Sequence, residues 1–294
     1  MSYESLFNSY SELRSEDAGQ MRSLLAGLPD TDHLLSHVFW ANAHIDPAGK
    51  LQTFYAPLPA GKKFNAVTFD PADIPAAIER DGDFWKLRVS SHRVLDLGSF
   101  SDEESFFRAL SPKNRKKLRW LRNAVPKLGC QVVPLESAAD FAKFEQLYCT
   151  QFSKYTPGCA DNQAVWRIYQ EFIRQKRSFS FLLLSADGEP LAAALGYFNG
   201  TAYNYTHLTR SIGGEFDKYS PGYYLTFCIV MKLLADHPEL KYFFMGPGEY
   251  DYKRAFLGEP FAIYRYERRK WWNLAGYIRL KHRLHKELAA AKLR

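Results

Sequence analysis

The short sequence Ser220-Pro221-Gly222 has the residue types of an anion-binding helix start. Serine is a common N-cap residue, proline suits the first helical position, and glycine leaves backbone N–H groups accessible. A helix N-terminus carries partial positive charge, so it can hold a pyrophosphate or a similar anion. The alternative is a plain helix start packed against a sheet, and Tyr223 and Tyr224 add bulk beside it.

A second anion-binding pattern lies in the basic segment that begins at Ser111-Pro112. Arg115, Arg119 and Arg122 are spaced i, i+4 and i+7, which puts them on one helix face. Guanidinium groups bind phosphates and carboxylates, so this row could hold a donor's phosphates, a nucleotide-linked or lipid-linked acceptor, or tRNA. The alternative is a solvated face whose charge compensates an acidic body.

Three side chains could act as a general base. His207 lies near the end of a predicted strand, Tyr203 to Thr209, and histidine accepts protons near neutral pH. A single histidine on an aromatic strand is also typical of a structural residue. Glu215 and Asp217 lie in the loop before the helix at Ser220, where they could serve as a base, anchor an amine, or only face solvent.

Composition and charge exclude several classes of protein. With 46% hydrophobic and 16% aromatic residues, the 294-residue chain can bury a sizeable core and is not disordered. Its net charge of +7 combines +8 in Tyr264–Arg294 and +7 in Ser111–Cys130 with −8 elsewhere. The sequence has no apolar stretch of transmembrane length and no signal-peptide pattern at its start, which predicts a cytoplasmic protein. Four isolated cysteines predict reduced thiols, with neither a metal site nor a disulfide framework.

The element order of the second half follows from periodicity, caps and turn residues. The basic helix is predicted to end between Pro126 and Gly129, and two amphipathic helices follow. Two hairpin signals, Asp187-Gly188 and Asn199-Gly200, connect three strands. After the helix that starts at Ser220 the pattern predicts a strand, a short helix and a last strand. The segment before Ile45 is predicted to be helical, with strands between it and Leu97.

Three stretches in this order resemble the GNAT acyltransferase superfamily, and more narrowly its CelD/BcsL-like branch, which is related to the Fem-type aminoacyl transferases. They are Leu110-Ser-Pro-Lys-Asn-Arg-Lys-Lys-Leu-Arg119, Tyr219-Ser-Pro-Gly222 and Gly246-Pro-Gly-Glu-Tyr-Asp-Tyr-Lys-Arg-Ala-Phe256. The resemblance implies an α/β (α+β) fold with a mixed, splayed sheet flanked by helices. It also implies two domains. Residues 1–100 would form a degenerate GNAT-like half or a subdomain of helices and strands, and residues 101–266 would form the acyltransferase unit.

The resemblance assigns the sharpest site residue. In Fem-type relatives a lysine in the setting of Tyr252-Lys253 stabilises the charge that develops on the transferred acyl group. The alternative is a solvent-facing lysine paired with Glu249 or Asp251. Ser220, Gly222, Tyr223 and Tyr252 are then expected to contact the donor.

The C-terminal segment, residues 267–294, is predicted to be a basic amphipathic helix headed by Trp271 and Trp272. Such a helix suits the inner face of an anionic membrane. It could instead dock on the body of the protein or on a second copy, or contact nucleic acid.

The resulting hypothesis is an N-acyltransferase with no permanently bound cofactor. It would move an acyl group from acyl-CoA or acyl carrier protein to an amine of a cell-envelope, lipid or amino-acid acceptor. One alternative is a Fem-type transferase that uses aminoacyl-tRNA. The stretch between Gln151 and Asn162 is too short for the helical arm common in those relatives. Another alternative is an inactive protein that binds membranes or nucleic acid.

Overall fold

The computed structural model describes residues 43–45, 51–54, 63–71, 78–81, 84–152, 166, 169–170, 173–174, 178–199, 202–247, 250–268, 278 and 281–282. The chain divides into two compact units, one formed by residues 1–92 with 260–294 and the other by residues 93–259. Most of the predicted N-terminal helices and of the predicted C-terminal helix lie outside the described residues. Residues 43–45, predicted as helical, form a strand instead.

The first unit contains antiparallel strands. They are β1 (Ala43–Ile45), β2 (Leu51–Phe54), β3 (Lys63–Pro71), β4 (Ile78–Asp81), the first part of β5 (Phe84–Asp96) and β11 (Glu259–Arg268). β2 pairs with both β1 and β3, β3 also pairs with β11, and β4 forms a hairpin with β5. The degenerate GNAT-like half expected at residues 1–100 remains a prediction.

The second unit is a mixed sheet with helices. Its further strands are β6 (Gln131–Pro134), β7 (Phe181–Leu184), β8 (Pro190–Asn199), β9 (Ala202–Arg210) and β10 (Tyr242–Pro247). The strands lie in the order β5, β10, β9, β8, β7, β6. β6 to β9 pair antiparallel with their neighbours, whereas β10 is parallel to β9. The predicted mixed sheet flanked by helices is therefore confirmed.

The helices of this unit begin and end close to their predicted bounds. They are α1 (Glu103–Ala109), α2 (Pro112–Lys127), α3 (Ala138–Phe152), α4 (Pro221–Asp236) and α5 (Asp251–Ala255). Asp102 forms a capping box with Ser105, and Ser111 accepts a hydrogen bond from the backbone N–H of Asn114. These local contacts are why the starts of α1 and α2 could be read from the sequence.

The core of the second unit lies where α2 and α4 pack on the sheet. Leu118, Leu121 and Val125 of α2 are buried, as are Leu225 and Ile229 of α4. In the described part of the chain no helix is both long and apolar enough to cross a membrane.

The cysteine prediction was partly wrong. Cys130 and Cys228 are free thiols, but Cys149 is disulfide-bonded. The spacing of the cysteines matches no disulfide framework, so it gave no signal for this bond.

A close contact within the sheet gives a test of the fold. A Cβ at Gly196 of β8 would overlap the hydroxyl and ring of Tyr203 on β9, and that hydroxyl donates to the Phe179 carbonyl at 2.7 Å. We expect Gly196→Ala to lower the free energy of unfolding by about 1–3 kcal/mol, the usual cost of overpacking a core. Urea denaturation measures this change.

Gly214→Ala is the matched control, because a Cβ there meets no atom of the described residues within 4 Å. Equal stability of the two variants would show that the contact between Gly196 and Tyr203 does not constrain the sheet.

Candidate active site

The parallel pairing of β9 and β10 is short. In the described part of these strands it covers three residue pairs and ends at Asn204 and Phe244. On the other side of β9 the register with β8 shifts, so that Thr206 is an extra residue between the pairs made by Tyr205 and His207. Such a bulge bends a strand and increases its twist. β9 is thus irregular just after its pairing with β10 ends.

The first turn of α4 is fixed against β9 beyond this point. Thr226 donates its hydroxyl hydrogen to the Gly222 carbonyl at 2.9 Å, so the Tyr205 hydroxyl, 2.9 Å away, is the donor to Thr226. Gly222 is buried, and a Cβ there would lie 3.4 Å from the side chain of Leu208. The helix N-terminus therefore lies beside the irregular part of β9.

Ser220 precedes α4 but does not cap it as predicted. Its φ is 47°, in the left-handed region, and its side chain makes no capping hydrogen bond. A capping serine normally has an extended backbone, which the 3-10 turn Glu215–Tyr219 prevents here. The Ser220 hydroxyl instead accepts a hydrogen bond from Nζ of Lys117 at 3.2 Å.

Lys117 of α2 is the cation at this helix end, and the sequence reasoning missed it. Its Nζ also lies 4.6 Å from the centre of the Tyr223 ring. Partial desolvation by its neighbours lowers the pKa of Lys117, although the residue as a whole stays exposed, and the charge of Lys113 lowers it further. An ammonium group beside a helix N-terminus that no side chain caps makes a local site for an anion. Ser220, Gly222 and Tyr223 are brought together with it.

The three predicted arginines face the other side of α2, where they contact α1. Arg115 donates to the carbonyls of Arg108 and Leu110 at 3.0 Å. Arg119 lies 3.7 Å from Glu104, and Arg122 forms an ion pair with Glu103. These contacts favour charge compensation within the protein, whereas anion binding by the three arginines stays a prediction.

Lys253 of α5 is almost completely buried, with 2% of its surface exposed. Its Nζ donates to the carbonyl of Gly246 at 2.8 Å and lies 5.1 Å from the centre of the Tyr250 ring. The alternative of a solvent-facing lysine is therefore wrong. Gly246 follows the paired part of β10 and has a φ of 73°, so Lys253 holds the strand where its backbone turns.

The short helix α5 is fixed from two directions. Asn114 of α2 donates to the Ala255 carbonyl at 3.4 Å, and the Gly258 N–H donates to the Lys253 carbonyl at 3.0 Å. Tyr252 lies next to Lys253, and burial together with the charge of Tyr250 raises its pKa above the usual range. The predicted pair Tyr252 and Lys253 thus lies at the end of β10.

His207 faces the opposite side of the sheet from α4. Its imidazole is surrounded by aromatic rings of α3 and of the helical residues that follow, with centroid distances of 5.3 to 6.4 Å. These rings belong to Phe144, Tyr148, Trp166 and Tyr169. The structure therefore does not bring His207 to the Lys117 side of the sheet, and its role as a base stays a prediction.

The acidic candidates differ in their surroundings. Asp217 forms an ion pair with Arg210 at 2.9 Å and accepts the Gly213 N–H at 2.8 Å, so its carboxylate holds the loop. Glu215 is exposed in the same 3-10 turn. These contacts account for Asp217 structurally, and the role of either residue as a base stays a prediction.

One polar residue at this position was not predicted. Asn204 is completely buried at the last parallel pair, and neither its amide oxygen nor its amide nitrogen has a hydrogen-bond partner. An unsatisfied buried amide is costly and is often found at a functional position. The sequence offered no signal for it, because Asn204 lies within a run of strand residues.

Comparison with known proteins agrees with this geometry. Residues 112–254 match the family model of an acetyltransferase (GNAT) domain. This match confirms the predicted GNAT resemblance and the acyltransferase class of the enzyme. No match to the chain is found among curated proteins.

Several solved structures are similar to the chain at low sequence identity. FemX has a TM-score of 0.52 at 11% identity, covering 85% of this chain and 96% of its own. L-PGS from Bacillus licheniformis has a TM-score of 0.49 at 13% identity, covering 90% and 96%. The C-terminal domain of a putative lysylphosphatidylglycerol synthetase from Agrobacterium fabrum has a TM-score of 0.47 at 11% identity, covering 91% and 95%. At these identities the likeness to FemX concerns the fold alone.

The lowered pKa of Lys117 predicts a pH dependence of stability. Above its folded-state pKa and up to its ordinary value near 10.5, the unfolded chain binds more protons at Lys117 than the folded chain. This residue therefore makes the free energy of unfolding rise with pH across that window. We expect Lys117→Met to remove this contribution, as urea denaturation between about pH 8 and pH 10.5 would measure.

Lys116→Met is the control, because Lys116 is exposed on the same turn of α2, as Lys117 is, but does not share the contacts of Lys117 with Ser220 and Tyr223. If Lys117→Met retained the wild-type slope, the inferred partial desolvation of the Lys117 ammonium would be wrong.

Proposed function

We propose that the protein transfers an acyl group from a thioester donor, acyl-CoA or acyl carrier protein, to an amine. The observation that carries this proposal is the position of the α4 N-terminus beside the irregular segment of β9, with Lys117 at its first turn. Both donors contain a phosphopantetheine, whose phosphate would bind the N–H groups of this turn and the ammonium of Lys117. Gly222 is buried in this turn, where a Cβ would lie within van der Waals distance of Leu208 on β9.

The acyl group would lie where β9 and β10 stop pairing. Lys253 holds the Gly246 carbonyl there, which fixes the backbone of β10. A fixed polar backbone and a nearby ammonium can stabilise the negative charge that develops on the thioester oxygen. Tyr252 packs next to Lys253 and helps to exclude water from this position.

The acceptor amine would approach from the α3 face of the sheet. Asn204 offers an unsatisfied amide on that face. It pairs with Tyr197 of β8, and His207 pairs with Leu195, two residues before Tyr197. Residues two apart in a strand share a face, so Asn204 and His207 lie on the same side of the sheet. The amine nitrogen attacks the thioester carbon, the C–S bond breaks, and the sulfur leaves as a thiolate. His207, which lies on the same face as Asn204, is the proposed acceptor of the proton that the amine gives up, and this proton then passes to the thiolate to give the free thiol.

The acceptor belongs to one of three classes: a cell-envelope precursor, a lipid or an amino acid. The C-terminal segment 267–294 supports an acceptor at the inner face of the membrane, because it combines tryptophans with many basic residues. The Cys149 disulfide is atypical for a cytoplasmic protein, and non-reducing electrophoresis of protein taken from cells would show whether it forms there.

The decisive assay mixes pure protein with acyl-CoA or acyl carrier protein and a panel of amines, and follows release of free thiol. Turnover with either thioester supports the proposal. Turnover with charged tRNA alone would instead establish the Fem-type alternative. If none of the donors raised the Tm of the protein, an inactive binding protein would be favoured.

Replacement of Lys253 tests its role in transfer. We expect Lys253→Met to lower kcat by about 100-fold or more, the usual effect of losing one group that stabilises an oxyanion, while donor affinity stays close to wild type. Methionine keeps the length and apolar character of the buried stem, and the Tm of the variant reports whether it folds.

Arg254→Ala is the control for this substitution, because Arg254 is the exposed neighbour of Lys253 on α5. Wild-type kcat in a folded Lys253→Met variant would remove Lys253 from the site.

A further inference from the structure

An exposed aromatic stack lies beside the anion site at the start of α4. Trp120 of α2 and Tyr219 are stacked, with ring centroids 5.4 Å apart and planes inclined by 11°. Trp120 nevertheless keeps 47% of its surface exposed. Packing against Tyr219 thus orients a large indole without burying it, which leaves apolar surface available to a planar group.

Cations surround this stack. Lys117 lies one turn before Trp120 on the same helix face, and Lys113 lies one turn before Lys117. Lys218 has its Nζ 5.1 Å from the centre of the Tyr219 ring. Asp217, the acidic residue next to Lys218 in sequence, forms its ion pair with Arg210. The stack therefore lies in a positive local field.

We propose that Trp120 with Lys113 and Lys117 forms a nucleotide subsite for the donor, in which a base stacks on the indole and phosphates contact the two ammonium groups. The inference rests on the proposed function, since it extends the phosphate site at the α4 N-terminus. Stacking on an aromatic face together with ammonium contacts to phosphates is how proteins bind nucleotides without reading their sequence. Adenosine phosphates fit this chemistry, and they occur both in CoA and at the 3′ end of a charged tRNA.

The size of the surface favours a single nucleotide over a long polyanion. The guanidinium groups of Arg119 and Arg122 contact Glu104 and Glu103 of α1, and so do not extend the lysine surface. What remains is a few lysines around one aromatic pair, enough for one base and its phosphates.

The test compares two ligands that differ only in the nucleotide. Isothermal titration would measure the affinity of CoA and of 4′-phosphopantetheine for the wild type and for Trp120→Leu. We expect the variant to lose affinity for CoA by about tenfold, because one base loses its stacking partner, and to keep its affinity for phosphopantetheine. Trp120→Phe retains an aromatic face and should recover much of the loss.

Asn123→Ala is the control, since Asn123 is exposed on the same helix without contributing to the subsite. A parallel titration with an RNA minihelix ending in CCA distinguishes the two sources of the nucleotide. Loss of minihelix binding in Trp120→Leu, in place of loss of CoA binding, would support the same subsite with tRNA as donor.

Four outcomes would overturn the inference. If the affinities for CoA and for the minihelix do not depend on Trp120, the inference fails, whereas the proposed function stands as long as thioesters are turned over. Equal losses for CoA and phosphopantetheine would show that Trp120 acts through the phosphate site instead. Trp120-dependent binding only to anionic phospholipid vesicles would make the stack a membrane contact. If the wild type binds neither CoA nor the minihelix and turns over no thioester, the inference and the proposed function fail together.

Discussion

The short parallel pairing between β9 and β10 is the constraint on which the candidate site depends. A bulge bends a strand and increases its local twist, and the extra residue Thr206 introduces such a bulge in β9 just after its pairing with β10 ends. Both Tyr205 and Leu208 of β9 contact the start of α4, although they are three residues apart in the sequence. In a regular strand such residues would face opposite sides, so the bulge is what lets both of them contact the first turn of α4.

Helix α2 connects the parts of this arrangement, because each of its faces has a different partner. Its apolar face enters the core, its arginine face contacts the acidic residues of α1, and its lysine face reaches Ser220 and Tyr223 at the start of α4. Asn114 near its start also holds α5, which carries Lys253. The charge of +7 in this segment is therefore divided between arginines that are compensated by α1 and a lysine that contacts the start of α4.

Features determined by nearby residues could be predicted from the sequence. The bounds of α2, the two hairpins and the sequence of elements from β7 to β10 follow from caps, periodicity and turn residues, and the structure confirms them. Strand β6 was not predicted. The sequence could not separate Lys117 from the arginines, because only the position of α1 decides which side of α2 is compensated. Ser220 has the residue type of a cap, yet the turn before it imposes a backbone in which it cannot cap. The burial of Lys253 depends on contacts with Gly246 that no local pattern reveals.

The two faces of β9 also explain why His207 and Lys253 need not be adjacent to act in one reaction. The Tyr205 hydroxyl points to α4, whereas His207 lies among rings on the α3 face, so the strand separates the donor side from the side of the proposed base. A thioester placed between β9 and β10 would be reachable from both faces at the point where the strands stop pairing. At this point Lys253 holds the backbone of β10 through the Gly246 carbonyl. Asn204 of β9 is buried there, and its side-chain amide has no hydrogen-bond partner. An amine that satisfied Asn204 would then regain a hydrogen bond that the free protein lacks, which favours its binding at the position of attack.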